Sequence, residues 1–294
     1  MDGCSTLYQP ALVVSTRRTS ESRITLAITE TISIQDLLGC TRPILFENND
    51  DIYSYSLGAT CFIVEYLSFA FVVTANHCFR SQGEDVSPES ILIQQVPGGD
   101  TFLPFSSIHK YYESVTDDAE VIDITIARIA TEKLTTEERN KLSGFRIKSL
   151  ISSYQFVDPT ANFVFRSYPY QINSIETDVD GAISYDENGE MHIDKKNLKS
   201  VIRRQAFSGD GVYVSRSTIP LSHIIRFGIQ PLPLDTVNGL SGSPVFQLVA
   251  AGANQQANLV GIITNANSEI AHFLDAIILL KLLNEVVPDQ KPGV

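Results

Sequence analysis

The stretch Asn238-Gly239-Leu240-Ser241-Gly242-Ser243-Pro244-Val245 carries the most specific signal in the chain, a serine in a glycine-rich turn before a predicted strand. The glycines permit a tight turn that exposes the Ser241 Oγ, and proline is tolerated at the first residue of a strand. In such a turn the N–H groups of Gly239 and Ser241 can point into one small space, where paired donors stabilise a developing oxyanion. An ordinary Gly/Ser turn between two strands is the alternative.

Two earlier patterns supply a histidine and an aspartate. Residues 72–78 (VVTANHC) form an apolar run that ends in a small-residue turn and delivers the imidazole of His77 at a strand end. Residues 121–129 (VIDITIARI) form a β-branched run that one carboxylate, Asp123, interrupts. Histidine is the commonest general base, and a half-buried carboxylate needs a donor such as an imidazole N–H. A structural histidine and a water-facing aspartate are the alternatives.

The order His, Asp, Ser and the three motifs resemble the chymotrypsin superfamily, the trypsin-like serine proteases. The active sites of that family read T-A-x-H-C, D-[IVL]-[AT]-[LI] and G-x-S-G-[GS]-P, and the resemblance covers about residues 55–290. The Gly-Leu-Ser-Gly-Ser-Pro form is similar to the bacterial-type branch. The resemblance implies an all-β fold, with two six-stranded antiparallel β-barrels side by side and a C-terminal helix.

The same resemblance implies the chemistry. Ser241 would be the nucleophile, His77 the general base and Asp123 the residue that orients the base. The N–H groups of Gly239 and Ser241 would form the oxyanion hole. The reaction would be hydrolysis of peptide bonds through an acyl-enzyme, with no metal or other cofactor.

The chain departs from the family in how activity is controlled. Leu240 stands where members activated by zymogen cleavage have an aspartate that pairs with the new N-terminus. This residue favours intrinsic activity, or gating by loop ordering or by a regulatory protein partner. The polar excursion over residues 175–204 is one candidate gate. Cys61 and Cys78 match positions that are bridged in some members, but a reducing compartment favours free thiols here.

Specificity is implied by the residues around the predicted pocket. Asp235 lies six residues before Ser241, where trypsin-type members keep the carboxylate that pairs with Arg or Lys of the substrate. A solvated loop aspartate is the alternative. Thr264, Asn265 and Ala266 would line the pocket wall and offer backbone groups to an extended substrate. The remaining histidines match no motif and are expected at surface or packing positions: His109, His192, His223 and His272.

The composition disfavours several kinds of partner and location. The 294 residues carry a formal net charge of −12, which disfavours nucleic acid as a partner because that affinity depends on Lys and Arg. No apolar run has the length of a membrane span, and the N-terminal residues lack the pattern of a secretory signal. We therefore expect a cytoplasmic protein with a protein or peptide substrate and no membrane partner. The four cysteines lack zinc-site spacing.

Short apolar and alternating runs predict strands over most of the chain. The clearest are 24–28, 60–65, 70–74, 91–96, 122–129, 163–167, 212–215, 244–249 and 259–264. Helices are predicted at 135–142, where Thr135 and Glu138 can form a capping box, at 276–287 and, more weakly, at 34–38. The predicted organisation is an N-terminal segment at 1–50, a first barrel at 51–135, a linker at 136–160 and a second barrel at 161–294.

Two rival functions stay open at this point. A catalytically idle or conditionally active module of the same fold could use its cleft to capture an extended peptide or a partner protein. An esterase or lipase is a weaker rival, because those enzymes carry Gly-x-Ser-x-Gly on a strand-turn-helix within an α/β pattern that this sequence lacks.

Overall fold

The computed structural model describes residues 11–13, 31–33, 39–47, 55–81, 84–96, 101–116, 119–143, 147–148, 157–178, 181–194, 199–234, 236–251 and 254–287. The strands of the first half are β1 (Ala11–Val13), β2 (Thr31–Ser33), β3 (Thr41–Glu47), β4 (Tyr55–Tyr66), β5 (Phe69–Ala75), β6 (Arg80–Ser81), β7 (Glu84–Asp85), β8 (Ile91–Ile93), β9 (Phe105–Thr116), β10 (Ala119–Ile129) and β11 (Ile147–Lys148). Those of the second half are β12 (Asn162–Ser167), β13 (Ser174–Asp178), β14 (Ile183–Tyr185), β15 (Met191–Ile193), β16 (Lys199–Arg203), β17 (Phe207–Arg216), β18 (Ser222–Phe227), β19 (Pro244–Ala251), β20 (Asn254–Ala266) and β21 (Ile270–Asp275). The helices are α1 (Thr136–Ser143) and α2 (Ala276–Val286).

The first half forms an antiparallel sheet in the order β8-β3-β4-β5-β10-β9, and β11 adds a short parallel pairing to β4. Its strands are rich in β-branched and aromatic residues, which pack well on a pleated surface. Ile63, Val72 and Phe79 belong to the core cluster of this half. Among the described residues the path is open between β8 and β9, so this half is a half-barrel.

The second half is a closed antiparallel barrel in the order β12-β17-β18-β21-β20-β19. Phenylalanine dominates its core. The ring centroids of Phe165 and Phe227 are 5.3 Å apart, and those of Phe163 and Phe273 are 6.1 Å apart. In β12 the buried rings of Phe163 and Phe165 alternate with the half-buried Val164 and Arg166, as the period of a strand requires.

The helices lie where the sequence predicts them. At the start of α1 the Thr135 N–H donates to Glu138 Oε2 at 2.7 Å, and the Glu138 N–H donates to Thr135 Oγ1 at 3.2 Å, which is the predicted capping box. At the start of α2, Asp275 Oδ1 accepts from the Ile277 N–H at 2.9 Å. The α2 residue Leu279 belongs to a core cluster that contains residues of both halves, so the helix helps to hold the halves together. Within the described ranges, neither helix has the length and apolar content that a bilayer span requires.

The described residues of the predicted polar excursion form two nested strand pairs, and this segment is named here the arm. It comprises residues 174–203 between β12 and β17, with β13 paired to β16 and β14 paired to β15. Most of its described residues between 181 and 194 are exposed. Contacts between β13 and β4 place the base of the arm beside the first sheet.

The predicted fold class is confirmed. The protein is mainly β, with a six-stranded half-barrel, a closed six-stranded barrel and a C-terminal helix. The strand predicted at 24–28 and the helix predicted at 34–38 lie outside the described residues. The bounds of the four predicted segments remain predictions.

Candidate active site

His77 lies in a short 3-10 turn, Asn76–Phe79, directly after β5. The register of β10 against β5 pairs Ile124 with Ala75, which brings Asp123 beside that turn. One carboxylate oxygen of Asp123 is hydrogen-bonded to His77 Nδ1, and the other accepts from the His77 backbone N–H at 3.0 Å. An ionised carboxylate only accepts hydrogen bonds, so pairing with ionised Asp123 selects the tautomer with the proton on Nδ1 and makes the second ring nitrogen an acceptor.

The two side chains differ in their exposure to water. The His77 side chain is 39% exposed, whereas that of Asp123 is 9% exposed. The turn is also tied to β10 by a buried bond, in which Thr125 Oγ1 donates to Asn76 Oδ1 at 2.7 Å. The imidazole is therefore fixed from behind and open on the side that faces the pocket.

The serine turn lies between the two halves and precedes β19. Gly239 and Gly242 have φ values of +95° and +83°, the left-handed region that glycine adopts readily. A Cβ on Gly242 would lie 2.0 Å from the carbonyl oxygen of Thr60, so no other residue fits there. In this conformation Ser241 Oγ donates to the Thr264 carbonyl at 3.3 Å.

Backbone carbonyls accept hydrogen bonds from three N–H groups of the turn. The Leu240 N–H donates to the Val237 carbonyl at 3.1 Å, and the Ser243 N–H donates to the Leu240 carbonyl at 3.2 Å. The Gly242 N–H donates to the Ile263 carbonyl at 2.8 Å. In the described part of the chain, the N–H groups of Gly239 and Ser241 have no acceptor, and both residues line the pocket. Two such donors suit an oxygen that gains negative charge.

Thr60 on β4 joins the first sheet to the serine turn, a role that the sequence analysis missed. Its Oγ1 donates to the Gly239 carbonyl at 2.7 Å and accepts from the Tyr168 N–H at 2.8 Å. Its backbone N–H donates to the Ser241 carbonyl at 3.3 Å, and its own carbonyl accepts from Thr74 Oγ1 at 2.7 Å. The available signal was a hydroxyl within an apolar run, because a buried hydroxyl needs partners.

A pocket of about 570 Å³ contains these groups. It is lined by Gly58, Ala59, His77, Cys78, Tyr170, Val237, Asn238, Gly239, Ser241, Thr264, Asn265 and Ala266. The structure therefore brings His77, Ser241 and the predicted wall residues to one cavity, with Asp123 behind His77. Asp235 lies outside the described residues.

Two other polar groups of the pocket stay neutral near pH 7. Burial raises the pKa of the Tyr170 phenol to about 12, and burial also raises the pKa of the Cys78 thiol to about 12. Neither group therefore supplies a charged side chain to the pocket near neutral pH.

The described cysteines are buried free thiols: Cys40, Cys61 and Cys78. Cys61 donates to the Arg42 carbonyl at 3.5 Å. The expectation that Cys61 and Cys78 are not bridged is therefore confirmed.

The remaining histidines lie outside the pocket lining, each with a local partner. His109 is 3.0 Å from Ser107 Oγ, His192 is 3.5 Å from Asp186, His223 is 3.2 Å from Asp275 and His272 is 3.1 Å from Ser217 Oγ. Among the described residues, one group has the composition of a metal site: the ligand atoms of Asp186, Glu190 and His192 on the arm lie within 4.8 Å of one another.

No protein-family model matches the chain, and a search of curated proteins gives no match. The function is therefore inferred from the fold and from the groups that meet in the pocket.

Proposed function

We propose that this protein is a serine endopeptidase similar to the trypsin-like enzymes of the chymotrypsin superfamily. One observation carries the proposal. A histidine–aspartate pair from the half-barrel and a serine turn from the closed barrel meet at one pocket, beside two backbone N–H groups with no acceptor in the described chain. This combination of nucleophile, oriented base and oxyanion donors suits acyl transfer.

The proposed reaction begins with rotation of the Ser241 hydroxyl from the Thr264 carbonyl toward His77. The unprotonated ring nitrogen of His77 takes the hydroxyl proton while Oγ attacks the scissile carbonyl carbon. The N–H groups of Gly239 and Ser241 stabilise the resulting oxyanion. Protonated His77, held by Asp123, then gives its proton to the leaving amine. Water hydrolyses the acyl-enzyme by the same steps and restores the serine.

Substrate recognition follows from the pocket wall. Thr264, Asn265 and Ala266 line the pocket, so an extended peptide or protein substrate can add to this segment as a strand. We propose Asp235 as the base of the specificity pocket, with cleavage after Arg or Lys. We also propose that the protein is cytoplasmic and that its reaction needs no cofactor.

The proposed mechanism does not include activation by a new N-terminus. The serine turn is held by Thr60, by Ile263 and by the Tyr170 N–H, which donates to Asn238 at 2.9 Å. These bonds support intrinsic activity. We propose that the arm or a regulatory protein adds further control.

A second candidate is a conditionally active or idle module that captures an extended peptide. The observation in its favour is the hydroxyl of Ser241, which donates to Thr264 in this conformation. Peptide capture and catalysis use the same pocket wall, so the two candidates differ in whether the serine reacts.

Cleavage of a diverse peptide library tests the proposal, with mass spectrometry to identify the residue before each cut. We expect cuts after Arg or Lys that vanish in Ser241→Ala, and Asp235→Ala should abolish the preference for a basic residue. Cuts that persist in Ser241→Ala would show that the activity belongs to a contaminant. Binding of library peptides without any cut would favour the second candidate.

A further inference from the structure

The segment Tyr168-Pro169-Tyr170, named here the strap, connects β12 to the arm and packs against the serine turn. A Cβ on Gly239 would lie 2.6 Å from the Tyr168 carbonyl oxygen and 3.0 Å from the Pro169 Cα. The strap is also bonded to both halves, because the Tyr168 N–H donates to Thr60 Oγ1 and the Tyr170 N–H donates to the Asn238 carbonyl.

The bond from the strap to Asn238 determines where the Gly239 N–H points. In a planar trans peptide the C=O and the following N–H point in opposite directions. The Asn238 carbonyl is directed to the Tyr170 N–H at 2.9 Å, so the N–H of Gly239 points away from the strap. If the strap moved, this peptide could rotate and withdraw one of the two oxyanion donors.

Asn173 fixes the strap from the other side. Its Nδ2 donates to the Pro169 carbonyl at 2.6 Å and to the Gln205 carbonyl at 3.0 Å, and its Oδ1 accepts from the Gln205 N–H at 2.8 Å. The side chain is buried, with Asn173 only 6% exposed. One amide therefore closes the base of the arm, where residues 173 and 205 flank it, and holds the strap to that base.

We propose that Asn173 is a positioning residue for the oxyanion hole, acting through the strap on the N–H of Gly239. The inference rests on the proposed function, since it assigns a supporting role at that site. A buried amide is suited to this role because losing it leaves the carbonyls of Pro169 and Gln205 and the Gln205 N–H unpaired, which costs more than losing a solvated bond. The base of the arm and the oxyanion hole are then linked by a short series of bonds.

The test compares Asn173→Ala and Asn173→Asp with Asn188→Ala, which removes an exposed asparagine at the tip of the arm. Asn173→Asp keeps the side-chain volume and the bond from Gln205 but replaces both donors with an oxygen, so it serves if the alanine variant does not fold. We expect kcat on a cleaved peptide to fall about 10- to 100-fold with KM nearly unchanged, less than the 100- to 1000-fold cost of losing one donor outright. Asn188→Ala should match the wild type.

Hydrogen exchange measured by mass spectrometry gives a readout that does not depend on activity. We expect faster exchange of the amides in residues 237–243 in both Asn173 variants and no change in Asn188→Ala. Unchanged exchange and unchanged kcat in the Asn173 variants would overturn the inference, while an active wild type would leave the proposed function intact. A wild type that neither cleaves peptides nor reacts with a fluorophosphonate would overturn the proposed function and, with it, the role of Asn173 in catalysis.

Discussion

At the scale of single residues, Asp123 uses both carboxylate oxygens on His77, one on the ring and one on the backbone N–H. Asp123→Asn keeps the shape of the side chain but presents an amide to Nδ1, which favours the wrong imidazole tautomer. We expect kcat to fall by about 10⁴-fold with little change in KM. Steady-state kinetics on a cleaved peptide measure this, with Asp194→Asn on the exposed arm as the control. A loss below about tenfold would mean that Asp123 does not orient a catalytic base.

Two left-handed glycines form a matched pair for testing the serine turn. Gly242 (φ +83°) would place a Cβ 2.0 Å from the Thr60 carbonyl oxygen, whereas Gly189 (φ +81°) has no atom within 4 Å of the same position. Gly189→Ala should cost only the backbone strain, about 1 to 2 kcal/mol. Gly242→Ala should cost about 3 kcal/mol or more and abolish peptide cleavage, because the turn must shift. Urea unfolding measures both costs, and equal costs would contradict the close approach of Gly242 to the Thr60 carbonyl.

At the scale of the elements, Thr60 is the contact through which β4 holds the serine turn. Thr60→Val keeps the volume but leaves the Gly239 carbonyl and the Tyr168 N–H without their partner. We expect a loss of about 1 to 3 kcal/mol in the free energy of unfolding, together with a lower kcat. Thr60→Ser keeps the hydroxyl and should recover most of both. Chemical denaturation and peptide kinetics provide the two readouts, and a fully active, stable valine variant would contradict the role of the hydroxyl.

The strands show what local sequence could predict. The apolar run at 70–74 corresponds to β5 (Phe69–Ala75) almost residue for residue, because its pattern matches a buried strand. The run at 212–215 covers only the end of β17 (Phe207–Arg216), since Gly209 and Gly211 interrupt the pattern. These glycines are there for close packing: a Cβ on Gly209 would lie 2.4 Å from the Phe165 ring. The arm strands β14 and β15 are mostly exposed, so burial imposes no alternation of apolar and polar residues on them.

The residues of the site likewise fall into those that local sequence could predict and those that it could not. His77, Asp123 and Ser241 lie in local motifs, so their sequence neighbours were enough to select them as candidates. Thr60 and Asn173 do not, because each also bonds a residue distant in the sequence: Thr60 bonds one 179 positions away, and Asn173 bonds one 32 positions away. Such contacts depend on how the two halves pack, which no short stretch of sequence specifies.

At the scale of the whole molecule, burial of the thiols makes the stability of the folded protein fall at alkaline pH. Burial raises the pKa of Cys40 and Cys78 from 9.0 to about 12, and the pKa of Cys61 is raised as well. The unfolded chain loses these protons near pH 9 while the folded chain keeps them. The stabilisation is therefore complete below about pH 9 and is lost as the pH rises toward 12. We expect the melting temperature to fall over that range, and a smaller fall in Cys61→Ala than in the wild type.

The same burial predicts the reactivity of the thiols. Because the thiolate is the reactive form, iodoacetamide at about pH 8 should leave Cys40, Cys61 and Cys78 unmodified in the folded protein and modify them after denaturation. Peptide mapping by mass spectrometry resolves each cysteine. Rapid modification of Cys78 in the folded protein would mean that the pocket exposes its thiol.

The reaction of the purified chain with a fluorophosphonate tests the central claim most directly, because labelling requires an activated serine and a formed oxyanion hole in the same molecule. Intact-mass and peptide mass spectrometry should show one adduct on Ser241 in the wild type, no adduct in Ser241→Ala, and much slower labelling in His77→Ala. An unlabelled wild type, or equal labelling of the wild type and Ser241→Ala, would contradict the assignment of this pocket as the active site of a serine protease.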